Sequence, residues 1–278
     1  MPVATKKYIS VILSILFLFL VVSALGHENA WSQSMLPAGT GIQKIYRAGT
    51  GLPVGKIQSV SGDVFIIHRG KEDAYLARVG LPLFRGDSII TNHNAGMSCR
   101  LKDGSNVKLV GNSKLVINLS THDAQRKSSI SSLFLASGKA YFQIARLDDY
   151  EPREFKVETG PIIAGGRQAD FAIFILDETI DIIAFKDSLL EVMSLNDPEL
   201  KIFLSEFQRV AIQGYDLPST VEVIPEAEAK KILSVFRQYP ESPLTSVGLI
   251  TTGQSGTIGA EDLQEDEAGW GELPGEYP

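Results

Sequence analysis

The feature that most constrains the fold is a series of short apolar stretches separated by turn-forming residues, shown most clearly by residues 84–109. The middle stretch alternates two kinds of residue: Ala95, Met97, Cys99 and Leu101 against Gly96, Ser98 and Arg100. A period of two is typical of a strand with one buried face and one solvated face. The next turn contains Asp103-Gly104, and Asp-Gly favours a reversal because glycine adopts positive φ without steric cost.

The same alternation recurs from residue 54 to residue 224 and predicts a series of short strands. We predict strands at Gly55–Val60, Asp63–Ile67, Tyr75–Val79, Ser88–Thr91, Ala95–Leu101, Val107–Leu109, Lys114–Asn118, Ile130–Leu135, Lys139–Ala145, Glu154–Glu158, Pro161–Ala164, Phe171–Leu176, Thr179–Phe185, Ser188–Met193, Ile202–Leu204, Gln208–Ile212 and Val221–Ile224. A polar interval over Ser120–Ser129 and a reversal at Ser137-Gly138 are expected between strands. Turns roughly every 8–12 residues predict an all-β sandwich, barrel or solenoid.

Residues 225–239 carry the one helical pattern of this region. Pro225 suits the first turn of a helix, and the apolar residues that follow have the spacing of one stripe: Ala229, Ile232, Leu233 and Phe236. An amphipathic helix of this kind ordinarily packs on a sheet. The alternative is a helix that docks on a partner.

The N-terminal residues have the pattern of an export segment. Lys6 and Lys7 precede the uncharged stretch Tyr8–Leu25, and small residues follow it. We interpret residues 1–34 as a cleaved signal peptide, with an uncleaved membrane anchor as the alternative. In both cases residues 35–278 are expected outside the cytoplasm. Residues 35–53 are rich in Gly and Pro and are predicted to be a flexible linker.

The net charge of −7 comes from the C-terminal end of the chain. Residues 241–278 hold eight acidic residues and no Lys or Arg, so all 26 basic residues and the other 25 acidic ones lie in the preceding 240. We predict that residues 240–278 are a disordered acidic tail. The remainder is close to neutral on this count, which argues against a nucleic-acid partner.

Few residues have the spacing that catalysis or metal binding needs. Cys99 is the single cysteine, so an internal disulfide is excluded. It belongs to the apolar residues of the alternating stretch, which predicts a buried, inert thiol. His68, His93 and His122 are each isolated from other metal-ligating residues. Three acidic residues, Asp148, Asp149 and Asp170, form an acid pair only if the fold assembles one. We therefore predict no catalytic, cofactor-binding or metal-binding residue.

Six short motifs over residues 54–217, taken in order, resemble the FecR family of periplasmic domains. They are Gly55–Val64, Arg85–Thr91, Leu101–Leu109, Leu135–Ala140, Phe155–Thr159 and Arg209–Gly214. The resemblance implies a β-helix-like or elongated β-roll domain at residues 54–224. The chain departs from the family pattern at one point, because Gln168 and Ala169 stand where the family has Gly-Thr. If that glycine takes positive φ, Gln168 must be strained or the local turn must change.

A second departure concerns function. Members of this family that act on sigma factors have a long cytoplasmic segment before a membrane helix, whereas about seven residues precede the apolar stretch here. We therefore expect an exported FecR-like domain without a sigma-factor-binding segment, located in the periplasm or secreted, or anchored to the inner membrane if the leader stays.

Three functions remain open. The preferred hypothesis is a non-enzymatic binding module for an envelope protein or polysaccharide. The first alternative is a periplasmic signalling partner of an outer-membrane transporter, of the iron-uptake type. The second is an envelope hydrolase whose site is assembled only by the fold.

Overall fold

The computed structural model of the chain describes residues 35–214 and 220–237. The predicted leader, residues 1–34, and the predicted acidic tail, residues 240–278, lie outside these ranges. Within them the chain is all-β with one helix near its C-terminal end, which confirms the predicted fold class. The elements are β1 Ile42–Gln43, β2 Gly55–Ser61, β3 Val64–Ile67, β4 Ala74–Leu76, β5 Pro82–Leu83, β6 Ser88–Thr91, β7 Gly96–Leu101, β8 Asn106–Asp123, β9 Ser128–Gln143, β10 Arg153–Glu158, β11 Ile162–Gln168, β12 Asp170–Leu176, β13 Thr179–Ala184, β14 Leu189–Ser194, β15 Lys201–Leu204, β16 Gln208–Gln213, β17 Glu222–Val223 and α1 Glu226–Arg237.

The two long strands β8 and β9 pair with each other and connect two half-sheets. The first half-sheet has the order β5-β2-β7-β8-β9-β12-β13-β16-β17. The second has the order β1-β4-β3-β6-β8-β9-β10-β11-β14-β15. In the first half-sheet Asn106–Val110 of β8 pair with Gln143–Lys139 of β9, and in the second the later part of β8 pairs with the beginning of β9.

One hydrophobic core lies between the half-sheets. Phe142 of β9 stacks on Phe171 of β12 with ring centroids 5.0 Å apart, and both belong to the first half-sheet. Phe155 of β10, in the second, packs against Phe142 at 6.2 Å. All three rings are buried, and full burial of such a side chain stabilises the fold by about 1.5–3 kcal/mol.

The predicted breaks within β8 and β9 are wrong. Val107–Leu109 and Lys114–Asn118 belong to one strand, β8, which continues to Asp123, well into the interval predicted to be polar and non-regular. Similarly, β9 runs through Ser137-Gly138 without reversing. Gly138 has φ of +87° and lies at the level where both strands bend from one half-sheet into the other. Glycine provides positive φ for a bend as well as for a turn, so the residue type alone did not distinguish them.

The predicted solvated face of β7 is only partly solvated. Arg100 is exposed, but Ser98 is buried with its Oγ 2.6 Å from the Oγ of Ser59 on the neighbouring β2. The hydroxyl pair satisfies both groups, which lets a small polar residue occupy a buried position.

Helix α1 packs on the outer face of the first half-sheet, as its apolar stripe predicts. The Phe236 ring lies 5.7 Å from that of Tyr141 on β9 and 5.7 Å from that of Phe174 on β12. In the described part of the chain, no helix is long and apolar enough to cross a membrane.

Residues 35–53, predicted to be a flexible linker, are held against the body at several points. Ile42–Gln43 form β1 and pair in parallel with Ala74–Tyr75 of β4. The Tyr46 hydroxyl donates to the Pro82 carbonyl at 2.7 Å. The segment therefore follows the surface of the body at these points, while the boundary at residue 53 stays a prediction.

Candidate binding groove

An open groove of about 750 Å³ lies on the outer face of the second half-sheet, over β10, β11, β14 and β15. Its floor contains Gly165 and Gly166 of β11. A Cβ on Gly166 would lie 2.7 Å from the Leu189 carbonyl oxygen, and a Cβ on Gly165 would meet the Phe155 carbonyl. Side chains at these two positions would clash with the neighbouring strands, so the floor is formed by backbone.

Apolar side chains surround this floor. Leu189 of β14 and Phe203 of β15 are 61% and 58% exposed, although both are large and apolar. Ile163 of β11 pairs in register with Met193 of β14, and both line the groove. An exposed apolar group beside a concave surface is typical of a binding site.

Two ion pairs border the apolar part. Lys201 Nζ lies 2.9 Å from Glu191 Oε1 across β14 and β15, and this hydrogen bond raises the pKa of Lys201. Lys156 pairs with Glu154 along β10. These four charged groups are all partly exposed, so a partner with polar groups can replace their mutual contacts at little cost.

Arg153 closes one end of the groove. Its side chain is only 8% exposed, and its Nη2 donates to the Ala145 carbonyl at 2.8 Å and to the Arg167 carbonyl. Its Nη1 lies 3.5 Å from Asp148 Oδ1. The buried Nε has no acceptor among the described residues.

A second, more polar cleft of about 730 Å³ shares Gln168 and Asp187 with the groove. With its amide oxygen turned toward Arg146, Gln168 accepts from that guanidinium at 3.1 Å from both Nε and Nη2. Gln168 is not among the residues with positive φ, and β11 instead shifts register against β14 between Gly165 and Gln168. At this departure from Gly-Thr, Gln168 therefore lies at a register shift without positive φ, and its side chain contacts Arg146 in the wall between the two clefts.

Asp170 lies in the polar cleft and is held by neutral donors. Its Oδ2 accepts from the Tyr141 hydroxyl at 3.1 Å and from Gln143 Nε2 at 3.2 Å. Burial raises the pKa of Asp170, although both hydrogen bonds oppose the shift, and the nearby Asp187 adds to it.

The other acidic candidates are not brought to Asp170. Asp148 contacts Arg153, and Asp149 Oδ2 lies 3.5 Å from Lys127 Nζ. Each of the three carboxylates thus has different partners, and in the described structure these three do not form an acid pair with one another. Within residues 35–214 and 220–237, no group of His, Cys, Asp and Glu has the arrangement of a metal site.

The histidines differ from one another more than the sequence predicts. His93 Nδ1 lies 3.2 Å from Asn112 Nδ2, and the His122 ring stacks on Tyr150 at 5.3 Å. His68 is buried and pairs with Asp87, a contact that sequence reasoning missed. The sequence places His68 after the predicted strand Asp63–Ile67 and Asp87 in the motif Arg85–Thr91, but no spacing pattern connects the two residues.

Cys99 is fully buried among apolar side chains, as predicted from its place among the apolar residues of the alternating stretch in β7. Burial raises the pKa of its thiol to about 12. The thiolate is the reactive form, so this cysteine is inert in the folded protein.

Comparison with solved structures shows three similar chains. Two of them are crystal structures described as a putative anti-sigma factor from Parabacteroides distasonis, one at 2.50 Å and one at 1.65 Å resolution. The first is 17% identical with a TM-score of 0.42, over 52% of this chain and 63% of that one. The second is 18% identical with a TM-score of 0.41, over 52% and 64%. The chain thus spans less than two thirds of the length of either structure.

No curated protein sequence matches the chain. The sequence model of the family described as FecR protein does match, over residues 87–188. That region runs from the turn before β6 to the residue before β14, and it contains β10 and β11 on one side of the groove but not Leu189 or Phe203 on the other. Residues 87–188 of the chain therefore match the FecR family model.

Proposed function

We propose that this chain is a non-enzymatic, exported binding module whose FecR domain holds a segment of a protein partner in the groove over β10, β11, β14 and β15. The observation that carries the proposal is the exposure of Leu189 and Phe203 beside a floor of glycine backbone. The groove is apolar in its middle and charged at its border, which suits a protein segment better than a polysaccharide.

The edge of the second half-sheet supports the same conclusion. Within the described residues, β15 pairs with β14 and with no strand on its other side. Its outward backbone N–H and C=O groups are open to an added strand, and Phe203 is near enough to contact that strand's side chains. A partner segment in extended conformation fits both the edge and the groove.

A site-specific crosslinking experiment tests this function. A photoreactive phenylalanine analogue replaces Phe203 in the full chain, and the matched control carries it at Leu176, which is 53% exposed at the end of β12. We expect a crosslinked protein adduct from Phe203 in intact cells and none from Leu176. The proposal fails if neither position gives an adduct, or if both give the same one.

The groove's apolar residues provide a second check on the same adduct. Leu189→Asp should abolish crosslinking at Phe203 because it places a charge in the apolar part of the groove, whereas Leu176→Asp should leave it unchanged. Circular dichroism of both variants establishes that loss of the adduct is not loss of the fold.

Export is part of the proposal and rests on Lys6, Lys7 and the apolar stretch Tyr8–Leu25. We propose a periplasmic or secreted location, with retention of the leader as a membrane anchor as the alternative. N-terminal sequencing of the mature protein from fractionated cells separates the two, and recovery of the full-length chain from the cytosol would contradict both.

A second candidate, favoured by the FecR family match, is a regulatory role as the signalling partner of an outer-membrane transporter. Deletion of the gene should then abolish a transcriptional response to the transported substrate, with iron limitation as the first condition to test. An unchanged transcriptome, together with a Phe203 adduct, would retain the binding module and remove the signalling role.

A further inference from the structure

A buried His-Asp pair fastens the N-terminal segment of the domain to the body. We call residues 41–49 the strap. They cross β4 and the loops around His68 and Phe84 before β2 begins. His68 and Asp87 are 6% and 1% exposed.

Both ring nitrogens of His68 face oxygen atoms. Nδ1 lies 2.8 Å from Asp87 Oδ1, and Nε2 lies 2.8 Å from the carbonyl oxygen of Arg47 in the strap. A backbone carbonyl only accepts, so Nε2 must carry a hydrogen. The contact with Asp87 then needs one more proton, either on Nδ1 or on the carboxyl group.

The neighbouring groups that the structure describes do not supply the proton that the His68–Asp87 contact needs. The other carboxyl oxygen of Asp87 accepts the Phe84 N–H at 2.8 Å. Tyr46 of the strap and Tyr75 of β4 contribute rings at 5.5 and 5.3 Å from the imidazole. Arg69, the nearest basic residue along the chain, lies with its aliphatic part beside Gly86. Burial raises the pKa of Asp87 against the opposing hydrogen bonds from His68 and Phe84, which favours keeping a proton in the pair.

We propose that the single proton shared by His68 and Asp87 locks the strap to the body, and that its loss at alkaline pH releases residues 41–49. Without it only one ring nitrogen carries a hydrogen. Either the lone pair of Nδ1 then faces the ionised carboxylate, or the lone pair of Nε2 faces the Arg47 carbonyl. Two acceptors in contact at a buried site are destabilising, so one of the two contacts must open. The contact with the strap is the easier to lose, because Lys44 and Arg47 beside it are exposed.

Trypsin measures strap release directly, because it cleaves after Lys44 and Arg47. The rates for the full chain are divided by the rates for a free peptide of the same sequence at each pH. The normalised rate is measured from about pH 7 to about pH 9.5. For the wild-type protein we expect slow cleavage while the pair keeps its proton and an increase of about tenfold or more once rising pH has removed it. A normalised rate that stays constant over this range would overturn the proposal.

Two variants identify the group responsible. In Asp87→Asn, the amide N–H₂ donates to an unprotonated Nδ1 while Nε2–H still reaches Arg47, so the strap should stay closed over the same pH range. In His68→Phe, the strap should be cleaved quickly at every pH. If Asp87→Asn keeps the full wild-type pH dependence, the titrating group lies elsewhere and the proposal is wrong.

An internal control separates strap release from global unfolding. Arg126 and Lys127 lie in the exposed β8–β9 turn, where the normalised cleavage rate should not change with pH. Cys99 should stay unreactive at each pH at which the strap opens. A Cys99 thiol that becomes reactive together with cleavage at Arg47 would show that the whole body unfolds, which contradicts release of the strap alone.

Discussion

The backbone N–H of Lys139 in β9 donates to the Oγ of Ser113 in β8 over 2.8 Å, at the bend where both strands pass from one half-sheet to the other. The Ser113 hydroxyl donates in turn to the Val110 carbonyl at 2.5 Å. This small network satisfies the backbone groups that the register shift between Val110 and Lys114 leaves without ladder partners. It also brings the two backbones so close that the residue before Lys139 is restricted to glycine.

Replacement of Gly138 tests the importance of this bend. Gly138→Ala places a Cβ against the Ser113 side chain and the Asn112 carbonyl, at a φ of +87° that alanine adopts only with strain. We expect a loss of about 3 kcal/mol in the free energy of unfolding, measured by urea denaturation.

Gly160→Ala is the matched control, because its Cβ would meet no atom within 4 Å and its φ is not positive. It should change the free energy of unfolding by less than about 0.5 kcal/mol. Equal effects of the two substitutions would show that β8 and β9 do not need a glycine at the bend.

The packing of α1 depends mainly on Phe236, which is 2% exposed between Tyr141 and Phe174. In Phe236→Ala the helix loses its largest contact with the first half-sheet, a loss of about 3–5 kcal/mol for a fully buried ring. Because α1 lies near the end of the described chain, we expect it to detach without unfolding the body. Hydrogen exchange should accelerate over Glu226–Arg237 and over the outer face of β12. Lys231→Ala, on the exposed side of α1, should change neither, and a loss of protection throughout the core in Phe236→Ala would contradict local detachment.

Cys99 provides a probe of core integrity. Its thiol is fully buried with a pKa raised to about 12, so a thiol reagent such as DTNB should react with the native protein at least about a thousandfold more slowly than with the denatured protein. The release of thionitrobenzoate with and without urea measures this ratio. Rapid reaction of the native protein would place Cys99 on an accessible surface and contradict the packing of β7.

The strands and the helix were largely predictable because each depends on alternation or on helical spacing within a few consecutive residues. The bend at Gly138 was not, since a glycine in an apolar run predicts a reversal and a bend equally well. The groove combines Ile163, Leu189 and Phe203, which come together only through the pairing of β11, β14 and β15. The His68 pair was hidden for another reason: one of its two partners is the carbonyl of Arg47, and a backbone atom leaves no trace in residue type.

Asp170 makes the stability of the body depend on pH in a direction opposite to that of a salt-bridged carboxylate. Burial raises its pKa in the folded state above the value of about 3.9 in the unfolded chain, so the folded state binds the proton more tightly. Its contribution to stability therefore falls as the pH rises from about 3.9 through the higher folded-state value. In Asp170→Asn the amide oxygen accepts from Tyr141 and Gln143 without a buried charge.

We expect Asp170→Asn to be more stable than the wild-type protein at pH 7 and this gain to shrink at about pH 4, where Asp170 becomes protonated. The difference in urea midpoint between variant and wild type at the two pH values measures the effect. Tyr141→Phe should have the opposite effect, because it removes a donor to the ionised carboxylate and leaves Asp170 less well satisfied at pH 7 than at about pH 4. A gain for Asp170→Asn that is equal at both pH values would show that the carboxylate does not titrate within this window, and that its charge is not the source of the instability.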